Sequence, residues 1–508
     1  MTGFRPTLWL TLLSGILFAA AFLSPVLFPL TWVAFVPFLF ILSEARTSRQ
    51  ALGLGFLFGF VTIGIGFHWI AYTIHVFGGV NYALAGLGLI LFCAYSGIPF
   101  ALFALLVQRL GLGPLALWPA VFWVTTEFWF PNLFPWYLAS SQSWFAPLIQ
   151  SADVLGLYGT SFVLVWFNTV LFKVIRHYRS SSTGHPPLWD IATVGAVVIA
   201  AIVYGQVRLH QVTLAMQAAP HLEVAAVQGN ISIVRKDDAA FLKTNLKTYQ
   251  DLSLTVPGVD LLIWPESALE SWVPEGGARL PAELLPPTHP PMIVGSMSFR
   301  RDRAGPKSFN SAFLVDREGN ILGRYHKQIL LAFGEYVPFA RLIGGLPGIP
   351  PIGSGFTPGD LDDTFNLGGA RIGPLICYED LMPWLARHFV KNRNANLLVN
   401  LTNDAWYGRS VAPWQHARLA QWRTIETRRA MVRSTNTGVT TVIDPTGAIQ
   451  DALPLFSEGV FRASVPLLEM KTAYARYGDW FAYVLTGMTL LVLAWAVASR
   501  RRKAGEAG

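Results

Sequence analysis

The chain has 508 residues, of which 53% are hydrophobic and only 13% charged, with a mean hydropathy of +0.43 and a formal net charge of +8. A soluble domain carries about 25% charged residues, so this composition excludes an ordinary soluble protein, and the length excludes a single core. The positive balance does not mark a nucleic-acid binder, because the cations are dispersed and their clusters adjoin apolar runs.

Seven apolar runs of membrane-spanning length fill the first two-fifths of the chain, near 8–24, 26–43, 51–74, 83–107, 113–130, 155–175 and 188–205, and an eighth lies near 480–498. Each approaches the ~20 residues that a helix needs to cross the hydrocarbon. The first run leads directly into further spans without a convincing small-residue cleavage site, so it reads as a span and not as a cleaved signal.

With the N-terminus inside, the inner segments hold Arg5, then Arg46 and Arg49, then Arg109, then Lys173, Arg176 and Arg179, and finally Arg500, Arg501, Arg502 and Lys503. The outer connections near 75–82 and 131–152 hold neither Lys nor Arg. This asymmetry predicts both termini in the cytoplasm and everything between the seventh and eighth spans outside. The expected domains are a seven-helix membrane domain over 1–210, a second domain over 218–468 and a last membrane helix over 478–500.

The connection near 131–152 is aromatic and poor in charge, which suits either an aromatic belt at headgroup level or a loop that touches substrate. Glu127, within or at the end of the fifth span, needs a partner or water unless it sits at the interface. Gly53, Gly55 and Gly59 lie inside a span, where small residues favour helix packing over nucleotide binding.

From about 218 to 466 the texture changes. Strands are expected at Glu223–Gln228, Asp260–Trp264, Met292–Ser296, Ser311–Val315, Ile321–Tyr325, Arg371–Ile376, Asn396–Leu401 and Val439–Ile443. Helices are expected at Ala239–Leu254, Asp380–Lys391 and Pro413–Arg429, the last with several Arg and a Glu on a polar face. Asp316–Asn320 and Asp444–Gly447 read as hairpin turns, and 180–187 and 344–359 as flexible stretches. Strands, helices and hairpins together imply a layered α/β sandwich inserted before the last membrane helix.

The only cysteines are Cys93, inside an apolar run, and Cys377. They supply no disulfide framework. By residue type alone Cys377 reads as an inert buried thiol or as a nucleophile. It follows the strand-like run Ala370–Ile376 and precedes a helix-like run, a junction where helix-end amides and a nearby cation push a thiol toward thiolate. Glu266 and Lys327 also fall at strand ends, where α/β sheets place reactive groups. A thiolate, a carboxylate base and an oxyanion-stabilising cation are the parts that acyl transfer needs. A glutamate acting as base near neutral pH calls for burial that raises its pKa.

Trp264-Pro-Glu266, Tyr325-His-Lys327 with Phe333-Gly-Glu335-Tyr-Val-Pro338, Cys377-Tyr-Glu379 and Thr402-Asn-Asp-Ala-Trp406-Tyr-Gly408 occur in the order and approximate spacing of the nitrilase (carbon-nitrogen hydrolase) superfamily, which this segment resembles. The eight-span surroundings, Pro413-Trp-Gln-His416, Arg433-Ser-Thr-Asn-Thr-Gly438 and Tyr474–Trp480 resemble the apolipoprotein N-acyltransferase family of that superfamily. The resemblance covers essentially the whole chain. It implies an eight-helix transmembrane bundle with an extracytoplasmic nitrilase-like αββα sandwich, in a bacterial inner membrane.

Carried over by motif, it implies Cys377 as nucleophile, Glu266 as general base and Lys327 as oxyanion stabiliser, with Glu335, Tyr378 and Glu379 in support. Gln228 and Asn310 match pocket-lining positions and Trp406 flanks the entrance. The implied reaction moves an acyl chain from a phospholipid, typically phosphatidylethanolamine, through a Cys377 thioester to the α-amine of a diacylglyceryl-cysteine apolipoprotein. A monomer is expected, with no cofactor. No metal is expected either, the His residues being scattered without HxxxH or CxxC spacing. The chain departs from the family pattern at Asp237, where Trp is usual, at Ala332, where Pro is common, and after Glu127, where an Arg often follows.

Two other readings stay open on residues alone. One is a membrane-tethered amidase or nitrilase acting on a small soluble substrate. The other is a transporter or lipid-binding protein, disfavoured because Glu127 and Asp190 are the only acidic residues in the candidate spans and no internal repeat is visible.

Overall fold

The structure, a computed structural model, describes residues 4–180, 185–233, 235–236, 238–302, 305–332, 334–336, 355–360 and 364–505. The chain divides into two compact units, Met1–His210 with Tyr477–Gly508, and Gln211–Arg476.

The first unit is helical. Among the described residues six helical stretches are long and apolar enough to cross a membrane: Pro25–Glu44, Ser48–Gly66, Tyr82–Leu110, Leu157–Arg179, Leu188–Ala218 and Trp480–Arg502; Leu8–Leu23 is a shorter apolar helix. The fifth expected run differs. Gly111, Gly113 and Leu115 take positive φ values of 75°, 68° and 49°, so the helix begins only at Trp118 and ends at Trp129. Twelve residues rise ~18 Å, short of the ~30 Å hydrocarbon core.

Several polar side chains inside this unit are paired. Asn168 accepts from Phe35 N (2.9 Å) and donates to Thr31 O (2.8 Å), satisfying the backbone where the stretch Pro25–Glu44 is broken. Lys173 meets Asp190 at 2.8 Å, and Asp153 accepts from Tyr204 Oη (2.7 Å) and Arg208 Nε (2.9 Å). Glu127 is buried and partnered, its Oε1 accepting from Leu138 N at 2.7 Å.

The second unit is built on two sheets. The strands are β1 His221–Gln228, β2 Leu261–Ile263, β3 Leu269–Pro274, β4 Met292–Asp302, β5 Gly305–Val315, β6 Ile321–His326, β7 Phe365–Leu367, β8 Ala370–Ile376, β9 Leu397–Thr402, β10 Ala430–Thr435, β11 Thr441–Ile443 and β12 Gly459–Pro466. The larger sheet runs β12-β1-β2-β4-β5-β6, with β3 also on β4, and the smaller runs β11-β10-β9-β8-β7. Both are mixed: β1, β2 and β4 are parallel, as are β8, β9 and β10, while the hairpin-linked neighbours are antiparallel.

Alternation sets the two faces of each sheet. Ser434 Oγ donates to Val227 O and Ile263 O, so the inner face of β10 meets the larger sheet. The outer face of the larger sheet, through Ala225, Val227, Leu262 and Trp264, packs on Tyr249 of the helix Leu242–Ser253. On the other sheet, helix Pro383–Asn392 packs against β8, and helix Ala412–Thr427 packs against that helix and the turn Cys377–Leu381.

The polar face expected on the helix 413–429 is not solvated. Arg423, Glu426, Arg428 and Arg429 are all buried. Arg423 pairs with Glu426 at 2.9 Å and donates to Leu381 O, Arg428 caps Pro445 O, and Arg429 donates to Ala395 O and Met470 O. Guanidinium groups are tolerated there because their fork of donors reaches carbonyls that the surrounding loops leave open.

Candidate active site

Parallel strands point their carboxyl ends in one direction, and the candidate residues follow the ends of β2, β6, β8 and β9. Glu266 comes two residues after Trp264, whose indole is locked by donation to Ser253 Oγ (2.9 Å). The segment Trp264–Ser267 lies hard against β4: a Cβ at Gly295 would stand 2.3 Å from Pro265 O. Ser267 has φ 51°, so the chain turns sharply after presenting the Glu266 carboxylate. That carboxylate accepts from Asn310 Nδ2 through Oε1 (2.7 Å) and from Asn403 N through Oε2 (3.0 Å).

Lys327 directly follows β6 and is tied to β5 by donation from its own N–H to Asn310 O (2.8 Å). Alternation sends Tyr325 and Lys327 inward, whereas His326 turns outward to stack on Phe309 at 4.4 Å. The Lys327 ammonium is buried, 2.8 Å from Glu335 Oε2 and 3.6 Å from Glu266 Oε1, with the Tyr378 ring 5.7 Å away. Asn310 Nδ2 also reaches Glu335 Oε1 at 3.0 Å, so one amide steers both carboxylates. Its own Oδ1 is buried with no partner among the described residues.

Cys377 opens the 3-10 turn Cys377–Leu381 with φ 56°, the left-handed region that a residue with a Cβ rarely occupies. The turn is held from several sides. Glu379 accepts from Ile376 N (2.8 Å), Tyr325 Oη (2.9 Å), Gln328 N (2.7 Å) and Ile329 N (3.0 Å), stitching the Cys377 turn to the segment after β6. Asn400 donates to Cys377 O at 2.8 Å, and Tyr378 Oη to Leu330 O at 3.0 Å.

The thiol is not pushed toward thiolate, contrary to the sequence expectation. Burial and then the Glu266 charge raise it, against Lys327 and the Thr402 hydroxyl, to about 12. The helix-end effect is outweighed because the sulfur is enclosed and a carboxylate faces it. Burial pulls the Lys327 ammonium down, but Cys377, Glu266 and Glu335 outweigh it, leaving its pKa well above the usual lysine range. A thiol, a carboxylate and a lasting cation therefore share one enclosed space. Removal of the thiol proton has to accompany attack.

The structure thus brings together Glu266, Asn310, Lys327, Glu335, Cys377, Tyr378 and Glu379. Gln228 belongs to a different network: it is fully buried, its amide donates to Pro454 O and Ser457 O, and its Oε1 accepts from Thr440 Oγ1 at 2.7 Å. Trp406 lies partly exposed in the 3-10 turn Asp404–Tyr407. Beside it Tyr407 is buried, its hydroxyl raised by burial and then by the charges of Cys377, Asp404 and Glu266.

Thr402, Asn403 and Tyr407 were legible as part of the Thr402–Gly408 motif, yet only Trp406 was singled out from it. Lys236 Nζ donates to Glu266 O at 3.3 Å, while Asp237, Phe333, Val337 and Pro338 lie outside the described residues, as do 181–184 and 344–354 of the stretches expected to be flexible. Ala332 forms a bridge with Tyr336. No group of three or more His, Cys, Asp or Glu side chains that could hold a metal ion is found among the described residues.

Comparison with known proteins adds to this geometry. Residues 223–474 match the carbon-nitrogen hydrolase family, and residues 14–170 match the apolipoprotein N-acyltransferase N-terminal domain. A protein of Geobacter metallireducens called apolipoprotein N-acyltransferase is 35% identical over 503 residues, covering 96% of this chain and 94% of its own. One of the same name from Azotobacter vinelandii is 35% identical over 477 residues, covering 91% and 89%. Among solved structures, a nitrilase-superfamily member from Saccharomyces cerevisiae aligns with TM-score 0.37 and 17% identity over 49% of this chain and 90% of that one.

Proposed function

The chain belongs to the apolipoprotein N-acyltransferase family, and on that premise we propose that it transfers a fatty acyl chain from a phospholipid to the α-amine of an N-terminal diacylglyceryl-cysteine. The observation that carries the residue assignment is the meeting of the Cys377 sulfur, the Glu266 carboxylate and the Lys327 ammonium in one enclosed space.

In the first half-reaction Cys377 Sγ attacks the ester carbonyl of the donor as Glu266 takes the thiol proton. The carbonyl oxygen becomes an oxyanion beside the Lys327 ammonium, which Glu335 and Asn310 hold in place. Collapse breaks the ester C–O bond, and the leaving lysophospholipid oxygen takes the proton back from Glu266. A thioester remains on Cys377. In the second half-reaction Glu266 accepts a proton from the attacking amine, the C–N bond forms, the C–S bond breaks, and the sulfur leaves as the thiol. Enclosure of the sulfur limits competing hydrolysis.

The membrane supports this reading. Both substrates are anchored in the bilayer by acyl chains, and confining the enzyme to the same surface raises encounter and orientation. The proposed topology has eight spans, the fifth made of the turn Pro114–Ala116 followed by the short helix Trp118–Trp129, with both termini in the cytoplasm and the second unit on the outer, periplasmic side, the arrangement that the Lys and Arg asymmetry of the connections favours. Phosphatidylethanolamine as donor, a monomeric state and domain limits at 1–210, 218–468 and 478–500 belong to the same proposal.

The test is a two-substrate assay with purified protein, a phospholipid and a synthetic diacylglyceryl-cysteine peptide. An N-acylated peptide should form and vanish with Cys377→Ala. Turnover of a water-soluble amide with no use of phospholipid would instead favour a tethered amidase.

A further inference from the structure

Four ionisable side chains without exposed surface form one cluster: Asp380, Asp404, His416 and Arg433. Arg433 pairs in register with Asn400, on the strand face opposite to the one that Ser434 turns toward the larger sheet. His416 Nδ1 lies 3.0 Å from Asp404 Oδ1, and Nε2 lies 2.8 Å from Asp380 Oδ1. Arg433 Nη1 donates to Asp380 Oδ2, and Nη2 stands 4.0 Å from Asp404 Oδ2. Gly438 passes so close that a Cβ there would stand 2.1 Å from Asp404 Oδ2.

Burying four ionisable groups costs solvation that an apolar filling would not, so stability alone does not account for the cluster. What it joins does. Asp380 is the third residue after Cys377, in the same 3-10 turn. Asp404 follows Asn403, whose N–H holds Glu266 Oε2 at 3.0 Å. A single imidazole therefore connects the turn that presents the sulfur to the loop that holds the carboxylate. An imidazole has one nitrogen for each aspartate, so one ring can bridge both.

We propose that His416, bridging Asp380 and Asp404 with Arg433 closing the cluster, is a positioning residue that fixes the separation of the Cys377 sulfur and the Glu266 carboxylate through both half-reactions. The inference rests on the reading of Cys377 as nucleophile and Glu266 as base. Its expected signature is a loss of rate without a loss of donor binding, because the strut ends at the reacting groups.

The test uses the full chain in lipid nanodiscs, with His416→Gln and Asp404→Asn. A glutamine carries its N–H donors on one atom and an acceptor oxygen on the other, so it can donate to one aspartate while its oxygen faces the other. Acyl-enzyme formation is followed against donor concentration, folding by melting temperature, and the sulfur by the pH profile of iodoacetamide labelling. Glu266, Lys327, Glu335, Thr402, Tyr378, Tyr407 and Arg433 all act on or near Cys377, so each profile is read as a difference from the unaltered protein.

His416→Gln should lower the maximal acylation rate about a hundredfold at an unchanged half-saturating donor concentration. Its labelling profile should move to higher pH, because Arg433, whose charge couples to the sulfur, is drawn toward the two aspartates. Asp404→Asn should act in the same direction and decides the matter if His416→Gln does not fold. An unchanged rate in a folded variant overturns the inference, and so does a lower melting temperature with rate per folded protein and labelling profile unchanged. Cys377→Ala is the control: persistent transfer there would remove the underlying reading, whereas an inert Cys377→Ala beside an unaffected His416→Gln removes only the strut.

Discussion

The Lys327 ammonium stands 2.8 Å from Glu335 Oε2, closer than the 3.6 Å that separates it from Glu266 Oε1. Two carboxylates thus divide the work around one cation. Glu335 holds it and Glu266 is left to face the sulfur. Glu335→Gln removes the nearer anchor, so the ammonium drifts toward Glu266. Acylation should fall roughly a hundredfold, since an oxyanion partner displaced by about 1 Å loses that much. Stopped-flow or quench measurement of the first half-reaction, with half-saturation of the donor unchanged, checks it.

Glu266 acts on Cys377 in two opposite ways. Its negative charge is the second cause, after burial, that lifts the thiol to about 12, yet the proposed chemistry needs it as the proton acceptor. Glu266→Gln should therefore lose transfer by about a thousandfold while its thiol titrates at lower pH than in the unaltered protein. The pH profile of alkylation, set beside the transfer rate, separates the two effects. A profile displaced upward would mean that the carboxylate does not face the sulfur.

Burial raises the Glu379 carboxyl to about 7, against hydrogen bonds from Ile329 and Ile376, the Lys327 charge and the Tyr325 hydroxyl. From a usual value near 4.5, the folded chain retains a proton that the unfolded chain has released. The resulting stability is complete below about pH 4.5 and is lost as pH rises through about 7. Glu379→Gln lacks this titration. Its melting temperature should be lower at acid pH, because an amide donor faces the Ile376 and Gln328 N–H groups, but the gap should narrow between about pH 5 and pH 8, by roughly 3 kcal/mol at most. Parallel curves for the two proteins would count against the shift.

The topology also has a direct reading. A fluorescent protein fused after Gly508 should glow, because it folds in the cytoplasm, and alkaline phosphatase inserted in the Asp316–Asn320 turn should be active, because it folds only outside. An inactive phosphatase would place the second unit on the wrong side for the proposed substrates.

Much of the second unit was legible because its signals are local. Arg371–Ile376 reads as a strand from its own apolar run, and the Cys377 that follows it needs no distant partner to be noticed. The run at 430–435 went unread because Arg433, Ser434 and Thr435 break the apolar pattern, although all are buried in β10. Asp380, His416 and Arg433 likewise went unread as a group: His416 and Arg433 sat in quoted motifs and Asp380 opened an expected helix, but their pairing crosses 36 and 53 residues of chain. In the membrane unit composition located the apolar runs. It did not reveal the break before Trp118, which depends on backbone angles at Gly111, Gly113 and Leu115.

The central claim is that the Cys377 sulfur carries the acyl chain. Intact mass of the purified protein after brief exposure to phosphatidylethanolamine tests it most directly. An increase equal to one acyl group is expected, removed by hydroxylamine, discharged by a diacylglyceryl-cysteine peptide, and missing in Cys377→Ser under hydroxylamine treatment. An N-acylated peptide formed with no such adduct at any time, or an adduct mapped to another residue, would contradict it.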